Sequence, residues 1–235
     1  MITLIPRDRC LRENPVLAHE LRALQAAFDP ERQAARYGGE ADPEDVAWFA
    51  AVRDDIPETD APPFSGQLAL ELPADDLDGL AAGLPDAVGG FLDALGADAL
   101  TLLHFSRSAR WPSPRRSPPQ LAEAGKRLRA FGAGKGFNGG IRADRDSLAE
   151  VLVPVFWYTR LDAGYGEVHF GFGEAPVVGT LCKYGNLHCS VYGEEWPERA
   201  RRAAVAAGFH ELAGTHECRE RFGVGGRIEG RMLRL

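Results

Sequence analysis

Residues 154–192 read PVFWYTRLDAGYGEVHFGFGEAPVVGTLCKYGNLHCSVY, and this stretch decides the predicted fold. It contains four short runs rich in β-branched and aromatic residues, separated by turns with glycine, proline or asparagine. The runs cover residues 154–161, 166–172, 177–183 and 186–192. Strands joined by turns this short pair with their neighbours in antiparallel fashion. The sequence therefore predicts a four-stranded antiparallel meander.

The side chains of each predicted strand divide between two faces, because successive residues of a strand point to opposite sides. One face collects apolar side chains and is expected to be buried against helices: Val155, Trp157, Val168, Phe170, Leu187, Cys189 and Val191. The other face collects seven polar or amphipathic side chains: Tyr158, Arg160, Glu167, His169, His188, Ser190 and Tyr192. This second face is expected to be open to solvent.

The composition of the polar face predicts a binding site. A plain solvated sheet face usually carries Lys, Glu and Thr, whereas Tyr and Arg are favoured at binding hot spots. The leading hypothesis is therefore a protein-binding module that uses these seven side chains. An ordinary solvated sheet face is the alternative that the pattern leaves open.

The same face also allows a catalytic hypothesis. Glu167 and His169 are two residues apart on one predicted strand and project side by side, as an acid–base pair requires. His188 would be the second acid or base, and Arg160 would stabilise a developing anion. This set would suit a small hydrolase or nuclease that cleaves a phosphodiester.

The charge of the chain indicates the kind of partner. It has 27 basic and 34 acidic side chains, a formal net charge of -7 and a pI of about 5.4. Such a protein repels phosphate backbones at long range, which argues against general nucleic-acid binding and favours a basic protein partner. Bacterial immunity or antitoxin-type inhibitors, which neutralise a basic toxin domain, are one acidic and motif-poor class with this profile.

The sequence outside the meander completes an α+β prediction, with helices packed on one face of the sheet. Residues 64–105 predict a β-α-β unit with a parallel crossover. Residues 1–63 predict an N-terminal helical segment, and residues 64–235 form the α+β domain. The proline- and arginine-rich residues 106–119 offer a second boundary. Residues 227–235 partly alternate and are compatible with an edge strand.

No metal, cofactor or membrane is expected. The four cysteines lack a C-x-x-C pair, and six residues separate Cys182 from Cys189, wider than a zinc knuckle. The glycine-rich residues 132–136 lack the spacing of a phosphate loop and are explained as the end of a helix. The sequence shows neither a basic leader followed by an apolar run nor a run long enough to span a bilayer, so a cytoplasmic protein with reduced cysteines is expected.

Overall fold

A computed structural model describes residues 1–134 and 136–222, and over these residues the fold is α+β. The strands are β1 (Ile2–Ile5), β2 (Phe64–Glu71), β3 (Ala99–His104), β4 (Gly140–Asp144), β5 (Val168–Phe172), β6 (Val177–Leu181), β7 (Leu187–Tyr192) and β8 (His210–Leu212). The helices are α1 (Arg7–Glu13), α2 (Pro15–Ala27), α3 (Pro30–Tyr37), α4 (Pro43–Val52), α5 (Leu77–Leu95), α6 (Pro119–Ala130), α7 (Leu148–Leu161) and α8 (Trp196–Ala206). The edge strand considered for residues 227–235 falls outside the described residues.

All eight strands of the described residues form one sheet in the order β1-β4-β3-β5-β6-β7-β2-β8. Every neighbouring pair is antiparallel. The last three predicted strands are present as β5, β6 and β7, which follow one another as a meander. Their apolar face is buried as expected, since Val168, Phe170, Leu187, Cys189 and Val191 are all in the main core.

The first predicted strand, residues 154–161, is wrong. These residues form the second half of α7, with Pro154 inside the helix. Almost every side chain from Val151 to Arg160 is buried, so the helix shows the continuous apolar run that a fully buried strand also shows. Its 14 residues favour a helix over a strand of ordinary length, and tertiary packing accommodates the proline.

The predicted β-α-β unit is present in a different arrangement. β2 and β3 run in the same direction and are joined through α5, as a parallel crossover requires. They are not hydrogen-bonded neighbours, because β5, β6 and β7 lie between them in the sheet. The strands that occupy the gap come from later in the chain, and a local pattern does not predict such an insertion.

Helices cover both faces of the sheet, so the expected packing on one face alone is wrong. α5 contacts α7 and α8, and α7 contacts α6, which completes the larger core on one face. On the other face α2 packs over β5 and β6 with Leu17, Ala18 and Leu21 buried. Leu17 and Leu21 are four residues apart, which places them on one face of a helix, but this spacing does not indicate which surface that face covers.

Helices α3 and α4 form a hairpin that contributes little to either core. α3 buries none of its side chains, and α4 buries only Phe49 and Val52. Both helices begin at an aspartate, Asp29 or Asp42, whose side chain accepts hydrogen bonds from backbone N–H groups of the first turn. Among the helices of the described residues, none has the length and apolar character needed to cross a membrane.

Candidate functional site

The seven side chains predicted for the polar sheet face do not share one exposed surface. Tyr158 and Arg160 lie on α7, and both are buried. The Tyr158 hydroxyl donates a hydrogen bond to the carbonyl of Leu121, 3.2 Å away. Burial raises the pKa of this tyrosine. Neither side chain is available to a protein partner, and the prediction that they are exposed is wrong.

Helix α2 covers the part of the face that holds Ser190 and Tyr192. Both residues are buried, and both hydroxyls donate to the carboxylate of Glu20 on α2. The Ser190 bond is 2.8 Å long. Burial and the neighbouring Glu20 carboxylate both raise the pKa of Tyr192. These polar groups therefore attach α2 to the sheet, a structural role that the alternation of the strands alone could not reveal.

The histidines lie on the predicted face but are separated. His169 pairs with Thr180 across β5 and β6, and Thr180 pairs with His188 across β6 and β7. Two strand spacings separate their backbones by about 10 Å. His169 is 1% exposed, and burial, followed by the charge of Arg7, lowers its pKa to about 3. A histidine held neutral in this way is a poor proton donor at physiological pH.

The other three members of the catalytic hypothesis do not share the enclosed position of His169. Glu167 is exposed just before β5. The Arg160 guanidinium lies 2.6 Å from the Glu220 carboxylate and donates to the carbonyl of Lys183 at 3.0 Å. His188 is half-buried beside Cys218, with 3.1 Å between Nε2 and Sγ. The fold therefore does not gather Glu167, His169, His188 and Arg160 around one accessible point.

A different surface stands out by its charge. Residues 28–60, named here the acidic segment, contain ten acidic and three basic side chains, which gives a formal charge of -7. The rest of the chain contains 24 acidic and 24 basic side chains. The whole net charge of the protein thus resides in the segment that contains α3, α4 and residues 53–60.

The acidic segment also exposes large aromatic side chains. Phe28 is 56% exposed, Tyr37 80% and Trp48 59%. They make up half of the six large apolar side chains that are exposed in the described residues. Phe28 packs edge-on against Phe105, and the Arg36 guanidinium lies 5.8 Å from the ring centre of Tyr37. Aromatic side chains are enriched at protein interfaces, where a polar rim surrounds them.

A buried ion pair fixes the end of the acidic segment to the body of the fold. Both carboxylate oxygens of Asp54 accept from the Arg7 guanidinium at 2.7 Å. Arg7 also donates to the carbonyls of His104 and Phe105 at the end of β3. Gln25 completes the link, because its amide donates to Asp54 at 3.0 Å and accepts from the Asp54 N–H at 2.9 Å.

A cleft of about 1060 Å³ adjoins the acidic segment. Residues 54–57 form one wall, and α1 and the glycine-rich residues 136–139 form the others. Leu11, Ile56 and Phe137 give it an apolar lining, with the charged side chains of Arg12, Asp55 and Arg107 among the lining residues. A cleft of this size and character can receive a protruding side chain or a small molecule.

Comparison with known proteins gives no external assignment. No protein family model matches the chain, and neither a curated protein nor a solved structure matches it. The function therefore has to be inferred from the surface and the chemistry of the chain itself.

Proposed function

We propose that this chain is a protein-binding module that holds a basic protein partner on its acidic segment. One observation carries the proposal: the entire net charge of -7 resides in residues 28–60, which also expose Phe28, Tyr37 and Trp48. An immunity or antitoxin-type inhibitor, which neutralises a basic toxin domain, is the form of this function that the charge favours.

Charge and aromatic surface would act at different stages of binding. A segment of net negative charge attracts a positively charged partner during diffusion and raises the association rate, most strongly at low salt. Exposed aromatic rings then supply the desolvated contacts that slow dissociation. The adjoining cleft offers a place for an anchoring side chain of the partner.

Site-specific photo-crosslinking in the native cell identifies such a partner. A photoreactive amino acid is placed at Trp48, and in a matched chain at Val205 on α8, which is 61% exposed compared with 59% for Trp48. α8 packs on the opposite face of the sheet, so it serves as the control surface. We expect one specific adduct from position 48, containing a protein of net positive charge, and none from position 205.

The purified partner then tests the surface quantitatively. Trp48→Ala and Tyr37→Ala are each expected to weaken binding by about 1–4 kcal/mol, the range for interface anchors. The association rate should fall steeply as salt rises, whereas Val205→Ala should bind as the wild type does. Calorimetry and stopped-flow measurements report these quantities. An acidic partner, or equal adducts from positions 48 and 205, would refute the proposal.

A further inference from the structure

Two cysteines and a histidine meet at one end of the sheet, and one of the cysteines comes from much later in the chain. Cys182 follows β6, His188 is in β7, and Cys218 follows a short 3-10 helix, Thr215–Glu217. One ligand atom of each, the two Sγ atoms and a ring nitrogen, lie within 4.8 Å of one another. The sequence predicted no metal site, because the spacing of Cys182 and Cys189 does not fit a zinc knuckle. The structure instead brings Cys218, which follows β8 in the chain, to Cys182 and His188.

The hairpin between β6 and β7 places the first two side chains. Thr180 is opposite His188, so Cys182, two residues further along, projects from the same face as His188. The turn is closed by the Cys182 N–H on the Asn186 carbonyl and by the Gly185 N–H on the Cys182 carbonyl, both at 2.9 Å. Gly185 has a φ of 86°, a backbone conformation that favours glycine.

Charged side chains next to Cys218 hold its sulfur, the third ligand atom of the cluster, at this point. Glu220 pairs with the buried Arg160 at 2.6 Å. Arg221 donates to the carbonyl of Leu72 at 3.2 Å and lies 3.3 Å from the Glu71 carboxylate. These contacts tie residues 218–222 across the end of the sheet and hold Cys218 over the hairpin.

A hydrogen-bond donor that is not itself a candidate ligand points at one of the two sulfurs. The fully buried Asn186 directs its Nδ2 at the Cys218 Sγ, 3.2 Å away. A donor of this kind, outside the ligands themselves, is what a metal-bound thiolate needs.

We propose that Cys182, His188 and Cys218 bind one Zn²⁺ ion. Two thiolates and an imidazole are ligands that zinc prefers, and three protein ligands leave one tetrahedral position for water or another ligand. Each thiol releases its proton as it binds, so the two thiolates balance the charge of the ion. Zinc would then join the β6–β7 hairpin to residues 213–222, a function that does not depend on the acidic segment.

Metal titration of the reduced, metal-free chain tests this proposal. We expect one Zn²⁺ per chain in competition with a chromophoric chelator. Co²⁺ bound in its place should give the thiolate-to-cobalt charge-transfer absorption that sulfur ligands produce. Cys182→Ser, Cys218→Ser and His188→Gln should each lower the zinc affinity on the order of 100-fold or more, because each removes a ligand. Cys10→Ala and Cys189→Ala, at cysteines outside the cluster, are the matched controls and should bind as the wild type does.

A measurement on the wild type keeps the test decisive if a variant fails to fold. Zinc should slow alkylation of Cys182 and Cys218 and leave the rates of Cys10 and Cys189 unchanged. Lack of zinc binding by the wild type, absence of this protection, or equal affinity in the cysteine variants and their controls would each overturn the proposal. A Cys182–Cys218 disulfide that persists under reducing conditions would overturn it as well.

Discussion

Replacing Asp54 by alanine is expected to lower the free energy of unfolding by about 3–5 kcal/mol. The side chains of Arg7 and Asp54 are only 8% and 7% exposed, and they are joined by two hydrogen bonds. Removal of the carboxylate would leave the Arg7 guanidinium buried without its counter-ion. The Gln25 amide would also lose an acceptor for its hydrogen bond. The uncompensated buried charge, rather than the loss of an attractive contact, accounts for most of the expected cost.

Asp55→Ala is the matched control, because Asp55 is the next residue, has the same side chain and is exposed. We expect it to change the stability by less than about 0.5 kcal/mol. Urea denaturation followed by circular dichroism measures both variants. The double replacement Arg7→Met with Asp54→Leu should recover much of the loss, since it removes both charges together. Equal stabilities for Asp54→Ala and Asp55→Ala would show that the pair does not anchor the acidic segment.

The sequence predicted the parts of the fold that depend on local patterns. The turns between β5, β6 and β7 are short and contain glycine or proline, so their antiparallel pairing could be predicted from neighbouring residues. The period of two also assigned Phe170 and Cys189 to the core correctly. This approach failed for α7, because a helix buried on nearly all sides shows no 3.6-residue period that distinguishes it from a buried strand.

Long-range packing decided the rest. β1 pairs with β4, so Ile2 lies opposite Ala143, and no local pattern specifies such a pairing. The same applies to α2, which places Glu20 over Ser190 and Tyr192 and turns an apparently solvated sheet face into an interior. Polar residues on alternate strand positions indicate one face of a sheet, but they do not indicate whether a helix covers it.

The two candidate sites differ in how far the sequence could have revealed them. The acidic segment could have been found by computing charge over separate stretches of the chain, because its ten acidic residues all fall within residues 28–60. The approach of Cys218 to Cys182 and His188 could not, because 35 residues separate the two cysteines and β8 intervenes between them. Spacing rules for zinc knuckles describe only ligands that share one turn.

His169 makes the stability of the fold depend on pH in a defined direction. Its folded pKa of about 3 is below the ordinary value of 6.5, so the unfolded chain binds a proton more readily than the folded chain does. The stabilisation is therefore fully present above about pH 6.5 and is lost progressively as the pH falls towards 3. Between about pH 6 and 4 this single group should lower the free energy of unfolding by about 1.4 kcal/mol per pH unit.

The variant His169→Leu removes the titrating group and keeps an apolar side chain beside Leu103 and the ring of Phe105. Its stability at neutral pH can differ from that of the wild type in either direction. The free energy of unfolding of the wild type minus that of the variant should fall by about 1.4 kcal/mol for each pH unit between pH 6 and pH 4. His210→Gln, at an exposed histidine on β8, is the control and should follow the wild-type pH dependence. Urea denaturation at each pH provides the free energies.

Parallel curves for the wild type and His169→Leu would mean that His169 titrates near its ordinary pKa, and the catalytic hypothesis for this histidine would then regain its proton donor. A pH dependence of stability that the wild type shows and His169→Leu lacks would instead show that this histidine stays neutral throughout the physiological range. This is expected of a side chain enclosed between α2 and the sheet.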